Sequence, residues 1–230
     1  MRRDSKLDTA VGCRYYDRMN ALTKFAPLLL ALCLTFPLAA AEPGKPVSLF
    51  DGQTFTGWEG DTNKTFRITD GAIVGGSMTD KVPRNEFLCT TRQYTNFVLR
   101  LEFKLLGGPK ANAGVQIRTQ RIPNHHEVSG YQADMGDGWW GCIYDESRRN
   151  KVLAKADPAL TEKLVKRDDW NTYEIRCEGK RIRLAINGTQ TVDYTEEDAK
   201  IPQFGIIAVQ IHGGPPSEAW YRKLVIEELP

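Results

Sequence analysis

Four short runs hold most of the side chains in this chain that could bind a polyol or move a proton. They are FVLRLEFKL (97–105), NAGVQIR (112–118), SGYQADM (129–135) and GIIAVQIHGG (205–214). In the first, Phe97, Leu99, Leu101 and Phe103 alternate with Arg100, Glu102 and Lys104, the period of two expected when one side of a strand is buried. Read the same way, the others offer Gln116 with Arg118, Gln132 with Asp134, and Gln210 with His212. Placed in one sheet, these runs would give a polar face of two carboxylates, two arginines, three amides and an imidazole. Such a face suits sugar binding or acid/base chemistry.

His212 ends its run beside Gly213-Gly214, where glycine admits a ligand or another backbone. An imidazole is suited to general-base work near neutral pH, and equally to a strand-end hydrogen bond with a loop carbonyl. Glu102 and Asp134, on neighbouring strands, would share a divalent ion or act as base and orienter around one substrate. Glu102 between Arg100 and Lys104 also fits a cross-strand ion pair. Arg118 presents a fork of donors for a carbonyl or enolate oxygen. Gln116, Gln132 and Gln210 donate and accept at once, as sugar hydroxyls require. Trp139-Trp140, flanked by Gly138 and Gly141, suits stacking on a pyranose ring or capping a core edge. His125, His126 and Glu127 cluster in sequence, but adjacent residues of an extended segment point opposite ways, so a solvated loop is expected. Zinc-type cysteine spacing, a phosphate-cradling glycine loop and a Gly-x-Ser-x-Gly elbow are absent, which removes those chemistries.

The elements that would position these groups read as an antiparallel all-β domain. Asp51-Gly52, Asp70-Gly71, Gly107-Gly108-Pro109, Glu178-Gly179, Asn187-Gly188 and Gly213-Gly214 punctuate short β-branched and aromatic runs. Tyr173, Ile175 and Cys177 should pair with Ile182, Leu184 and Ile186 across the Gly179-Lys180 turn. Asn187-Gly188 is the strongest hairpin signal, because both central residues of the tight turn need positive φ. One helix is expected over 157–166, with Asp157 as cap and Pro158 at its first position. It lies in a connection from Gly136 to Asp169, too long for a plain hairpin loop and of the kind that often carries binding function.

From Met19, a charged start, the run APLLLALCLTFPLAA and Ala39-Ala40-Ala41 read as a secretory signal cleaved near Ala41, preceded by an over-extended start. Residues 1–41 are thus expected to be removed on export. Residues 42–230 form a single domain of 189 residues, long enough for a sizeable core. Residues 1–41 carry six of the 31 basic and three of the 29 acidic residues, leaving 25 against 26. This balance argues against nucleic acid or an anionic membrane as partner. Cys89, Cys142 and Cys177 remain, so at most one disulfide forms.

The chain resembles the secreted bacterial 3-keto-disaccharide hydrolase domain family. The resemblance runs from SLFDGQTFTGW (48–58) through FRITDGAIVG, FLCT, the four runs above, GCIYD (141–145) and DWNTYEIRCEGKRIRLAINGTQTVDY (169–194) to WYRKLVIEEL (220–229). It implies a concanavalin A-like jelly-roll sandwich of two antiparallel sheets. It also implies action on a glycoside whose C3 hydroxyl a separate sugar 3-dehydrogenase has oxidised. The ketone acidifies the C2 proton, a base removes it, the C1 substituent leaves by elimination, and water adds afterwards. On this reading His212 or Glu102 is the base, Arg118 or a divalent ion stabilises the enolate, and Asp134 orients or, with His212, holds the ion. Gln116, Gln132, Gln210, Trp139 and Trp140 contact sugar, and a divalent ion is the one cofactor this reading admits. Family members often carry Glu where this chain has Gln132, a loss of charge that implies altered specificity or a binding-only protein if that Glu is a ligand or base in them. The rival reading is a carbohydrate-binding module without catalysis; an ordinary two-acid glycosidase is disfavoured because the Tyr-Gln-Ala-Asp-Met strand has too few carboxylates.

Overall fold

A computed structural model describes residues 44–230; the segment read as an export signal, 1–41, lies outside the described residues. In chain order the strands are β1 (Val47–Ser48), β2 (Trp58–Glu59), β3 (Phe66–Thr69), β4 (Ala72–Ser77), β5 (Glu86–Tyr94), β6 (Phe97–Leu106), β7 (Asn112–Arg121) and β8 (Val128–Gly136). They continue with β9 (Ile143–Glu146), β10 (Lys151–Ala154), the helix α1 (Pro158–Leu164), β11 (Asn171–Glu178), β12 (Arg181–Ile186), β13 (Thr189–Thr195), β14 (Gly205–Ile211) and β15 (Ser217–Glu228). One sheet runs β13-β12-β11-β6-β15-β4-β3, with β1 added on β15; the other runs β10-β9-β8-β7-β14-β5-β2. Among the described residues all pairings are antiparallel, giving the expected all-β sandwich with one short helix.

The local signals act as their chemistry dictates. Tyr173 pairs with Ile186, Ile175 with Leu184 and Cys177 with Ile182, as alternation and the Gly179-Lys180 turn require. Asn187 and Gly188 take φ of 49° and 80°, the left-handed geometry of a two-residue hairpin. Asp157 caps α1 by accepting from the Ala159 amide, and proline occupies the first turn, where no amide donor is needed.

The core lies between the sheets. Phe97, Leu99, Leu101 and Phe103 of β6, with Ile175 and Leu184, face Val115, Ile117, Ala133, Met135, Val209 and Ile211. Each fully buried aliphatic side chain contributes about 1.5–3 kcal/mol of transfer free energy. A smaller apolar cluster of Phe87, Cys89, Val128, Ile206 and Ala208 covers part of the opposite face of the second sheet. Cys89, Cys142 and Cys177 are buried free thiols.

The sheet assignment corrects one expectation. β6 belongs to the first sheet, whereas β7, β8 and β14 are neighbours in the second, so the four chemistry-bearing runs do not share a face. Alternation tells which side of a strand faces the core, but not which sheet holds the strand. Glu102 accordingly lies on the outer surface of the first sheet, where Arg222 Nε and Lys223 Nζ each donate to it at 2.7 Å. Its ion-pair alternative is the one realised.

Two tyrosines tie the sheets together through the core. The Tyr221 hydroxyl of β15 lies 2.5 Å from the Gln210 carbonyl and 3.1 Å from that of Gly114. The Tyr173 hydroxyl of β11 lies 3.3 Å from the Asp134 carbonyl. Replacing Tyr221 with Phe keeps the ring but strips these carbonyls of their buried donor, at a cost of about 1–3 kcal/mol. The expected result is a Tm lower by about 2–4 °C per kcal/mol, checked by thermal unfolding of the two proteins.

Candidate functional site

The outer face of the second sheet is built in rungs. The His212 amide donates to the Asn112 carbonyl, and Asn112 pairs with Gly136. The next rung on this face aligns Gln210, Gly114 and Asp134, and the one after it Ala208, Gln116, Gln132 and Tyr144. Farther along, Gly130 pairs with Glu146. Three of the sequence-derived residues, Gln116, Gln132 and Asp134, thus come together on adjacent strands, with Gln210 one strand away.

A single directed chain of hydrogen bonds fixes them. Thr119 Oγ1 donates to Gln116 Oε1 at 2.9 Å, Gln116 Nε2 donates to Gln132 Oε1, and Gln132 Nε2 donates to Asp134 Oδ1. Each amide therefore has one orientation. Gly114 makes room for this arrangement: a Cβ at that position would lie 2.7 Å from Gln132 Cγ and 2.8 Å from its Cδ. The chain of donors ends at Asp134, whose other oxygen, Oδ2, is buried with no protein partner.

Asp134 and Gln132 form the floor of a cavity of about 500 Å³, with His212 on one side and Tyr144, Glu146 and Trp139 on the other. Trp139 is 40% exposed and meets the Tyr144 ring edge to face at 6.0 Å. His212 is exposed at the rim, its Nδ1 2.7 Å from the Gly213 carbonyl. That contact assigns the proton to Nδ1 and leaves the Nε2 lone pair free.

Burial dominates the electrostatics. It pushes the Asp134 carboxyl up to about 8 against the opposing hydrogen bond from Gln132, and the charge of Glu146 adds to the rise. Glu146 is pushed up to about 7, again by burial first and then by the neighbouring charge of Glu127. Both carboxyls hold a proton at a pH where ordinary carboxylates have lost it.

Other expected site residues lie elsewhere. Arg118 sits in a bulge of β7 at φ 48° and is 1% exposed, so it does not share the face of Gln116. Its guanidinium donates to the carbonyls of Thr95 and Gly179 and to Gln203 Oε1 and Asn96 Oδ1, binding together three turns rather than a ligand. Gln210 is on the site face, but its amide is buried away from the cavity and has no protein partner. Trp140 packs on Phe103 with ring centroids 6.2 Å apart and borders a separate cavity of about 180 Å³ beside α1. Gln116 supports Gln132 without reaching the cavity. Among the described residues, no three His, Cys, Asp or Glu side chains converge as metal ligands, and Asp134 with His212 alone does not fit a resident divalent ion.

Tyr144 and Glu146 were not foreseen. They lie on β9, inside the connection expected to be loop and helix, where the alternation in Ile143-Tyr144-Asp145-Glu146 is the one available signal.

The raised Asp134 carboxyl has a consequence for stability. From its ordinary value near 3.8 up to about 8, the folded protein retains a proton that the unfolded chain has released, so stability falls as pH rises through this window. Asp134→Asn can still accept from Gln132 but cannot ionise. The variant should lose less stability between pH 4 and pH 8 than the parent and melt several degrees higher at pH 8, read from Tm against pH.

The sequence matches the model of the 3-keto-alpha-glucoside-1,2-lyase-like domain over residues 45–227. No protein of curated function matches it significantly. Among solved structures, the fold is similar to a provisionally assigned glycosyl hydrolase from Parabacteroides distasonis, at TM-score 0.62 and 18% identity over 81% of this chain and 94% of that one. It is also similar to a galectin-like protein of unknown function from Bacillus subtilis, at TM-score 0.60 and 11% identity over 81% and 97% of the two chains. A third is the carbohydrate-binding module CBM66 of Bacillus subtilis, at TM-score 0.56 and 13% identity over 75% and 96%. Identities this low describe the fold alone, whereas the family match spans nearly all of the described residues: the chain belongs to the 3-keto-alpha-glucoside-1,2-lyase-like domain family.

Proposed function

We propose that this protein cleaves glycosides whose C3 hydroxyl has been oxidised to a ketone, by removing the C2 proton and eliminating the C1 substituent, with water added afterwards. Membership of a family of lyase-like domains for 3-keto-α-glucosides supports a carbohydrate-directed function. The observation that carries the finer reading is Asp134, a carboxyl that borders the cavity, keeps its proton at neutral pH and has a buried Oδ2 with no protein partner.

Loss of the C2 proton leaves negative charge on the C3 oxygen. A neutral carboxylic acid held out of water is a strong, fixed donor to such an oxygen, and removing one donor of this kind typically costs about 10²–10³ in rate. Gln132 holds Oδ1 as acceptor, so the proton is on Oδ2. His212, with Nδ1 committed to the Gly213 carbonyl, offers Nε2 as base from the rim. Trp139 provides a ring face at the cavity mouth on which sugar can stack. A separate sugar dehydrogenase would supply the ketone, and cleavage of the leader near Ala41 would place the domain outside the cytoplasm.

The deciding experiment is aglycone release from a 3-keto-α-glucoside against its unoxidised parent. Release from the keto substrate alone is expected. Binding of either sugar without release would make the domain a carbohydrate-binding module. For the active protein, kcat/KM should fall as pH rises through about 8, where Asp134 loses the proton it donates. Asp134→Ala should lose about 10²-fold or more in kcat. His212→Gln, at an exposed position, should abolish turnover with an unchanged Tm; retained activity would remove it as the base.

A further inference from the structure

We propose that Glu146 is the acid that protonates the departing glycosidic oxygen. The inference rests on the elimination reading above and assigns the half of the proton traffic that Asp134 and His212 leave open.

Glu146 borders the same cavity as Asp134, on the wall formed by β9 and opposite His212. Its partner across the ladder is Gly130, four residues before Asp134 on β8. The two positions are thus about 13 Å apart along the strand and one strand over. Gln132 and Tyr144 form the rung between them, so a sugar ring seated over that rung in the shared cavity has one of the two carboxyls at each end. A C3 oxygen on Asp134 directs the C1 oxygen toward Glu146.

The surroundings of Glu146 keep it available. Asp145, Glu127 and Asp134 are the carboxyls around it, and the Ser147 amide is its one backbone donor. Two arginines follow within three residues, but Arg148 turns to Asp145, while Arg149 is held by Asp145 and Glu196. Nearby, His126 faces Glu127 with Nδ1 3.8 Å from Oε1. Among the described residues no cation pairs with Glu146, unlike Glu102, Asp137, Asp145, Glu178 and Asp193. A half-buried carboxyl beside another carboxyl, with no cation, is held in its acid form.

The step balances without a further reagent. His212 Nε2 takes the C2 proton, and the electron pair moves onto the C3 oxygen. It then returns to form the C1=C2 bond as the C1–O bond breaks, and the leaving oxygen takes the proton of Glu146. In the hydration that follows, the Glu146 carboxylate accepts a proton from the attacking water and the imidazolium returns one to C2, restoring both groups.

Leaving-group dependence tests this directly. A nitrophenolate departs without help, whereas a sugar or alkyl alcohol needs a proton. Glu146→Gln should therefore lose about 10²–10³-fold in kcat/KM on a 3-keto-disaccharide, with a loss at least tenfold smaller on 4-nitrophenyl 3-keto-α-glucoside. Circular dichroism and Tm would establish that the variant is folded, and Glu146→Asp should recover part of the disaccharide activity. Equal losses on both substrates, or none on either, would overturn the role of Glu146 while leaving the elimination reading in place. A parent protein inert toward both keto substrates would instead overturn that reading, and this proposal with it.

Discussion

The site depends on a single rung of the second sheet being held from both sides. On the core side, hydroxyls of Tyr221 and Tyr173 reach the carbonyls of Gln210, Gly114 and Asp134 from the opposite sheet. On the outer side, the hydrogen bonds from Thr119 through Gln116 and Gln132 end on Asp134 Oδ1. Strand register alone would put Asp134 on the right face but leave its carboxyl free to rotate. The donor chain fixes which oxygen accepts, and thereby which one carries the proton. Burial alone would raise the affinity for a proton; burial with a fixed acceptor decides where the proton points.

This site stands out against the other buried carboxyls among the described residues: Glu86, Asp145, Glu196 and Glu218 are each matched with an arginine. Arg149 joins Asp145 and Glu196, and Glu196 also accepts from the hydroxyls of Tyr131 and Tyr194. That network ties the end of β9 to the segment after β13. With Arg148 on Asp145, it occupies the two arginines next in sequence to Glu146 and leaves that carboxyl without a cation. Unpaired buried carboxyls oppose folding at neutral pH, so two of them on one cavity give the proposed site a cost in stability.

Much of the fold could be read from the chain because its signals are local. The Asn187-Gly188 turn, the alternation across the Gly179-Lys180 hairpin and the Asp157-Pro158 cap each act within a few residues. The site was legible only in part. Gln116, Gln132 and Asp134 share a face because β7 and β8 are neighbours in both sequence and space. Glu102 has equally good alternation, but its strand pairs with β11 and β15, a choice made by contacts remote in sequence. Arg118 fails for another reason: the bulge after Ile117 breaks the period of two that placed it beside Gln116. β9 spans only Ile143–Glu146, too short for its alternation to compete with the Gly and Trp residues before it.

The amide at position 132 links the two strands of the site. Its Cγ and Cδ lie over Gly114, so a larger residue at either position would push the two strands' side chains apart. Its Nε2 is a donor that cannot ionise, and it meets Asp134 Oδ1 where a carboxylate would have to share a proton with Asp134. With Glu there, one proton would be divided between two acids and neither oxygen of Asp134 would be a committed donor. With Gln, the direction of every hydrogen bond back to Thr119 is set, and the one titrating group on the cavity floor is Asp134. Gln at this position thus leaves the proton of the cavity floor on Asp134 alone.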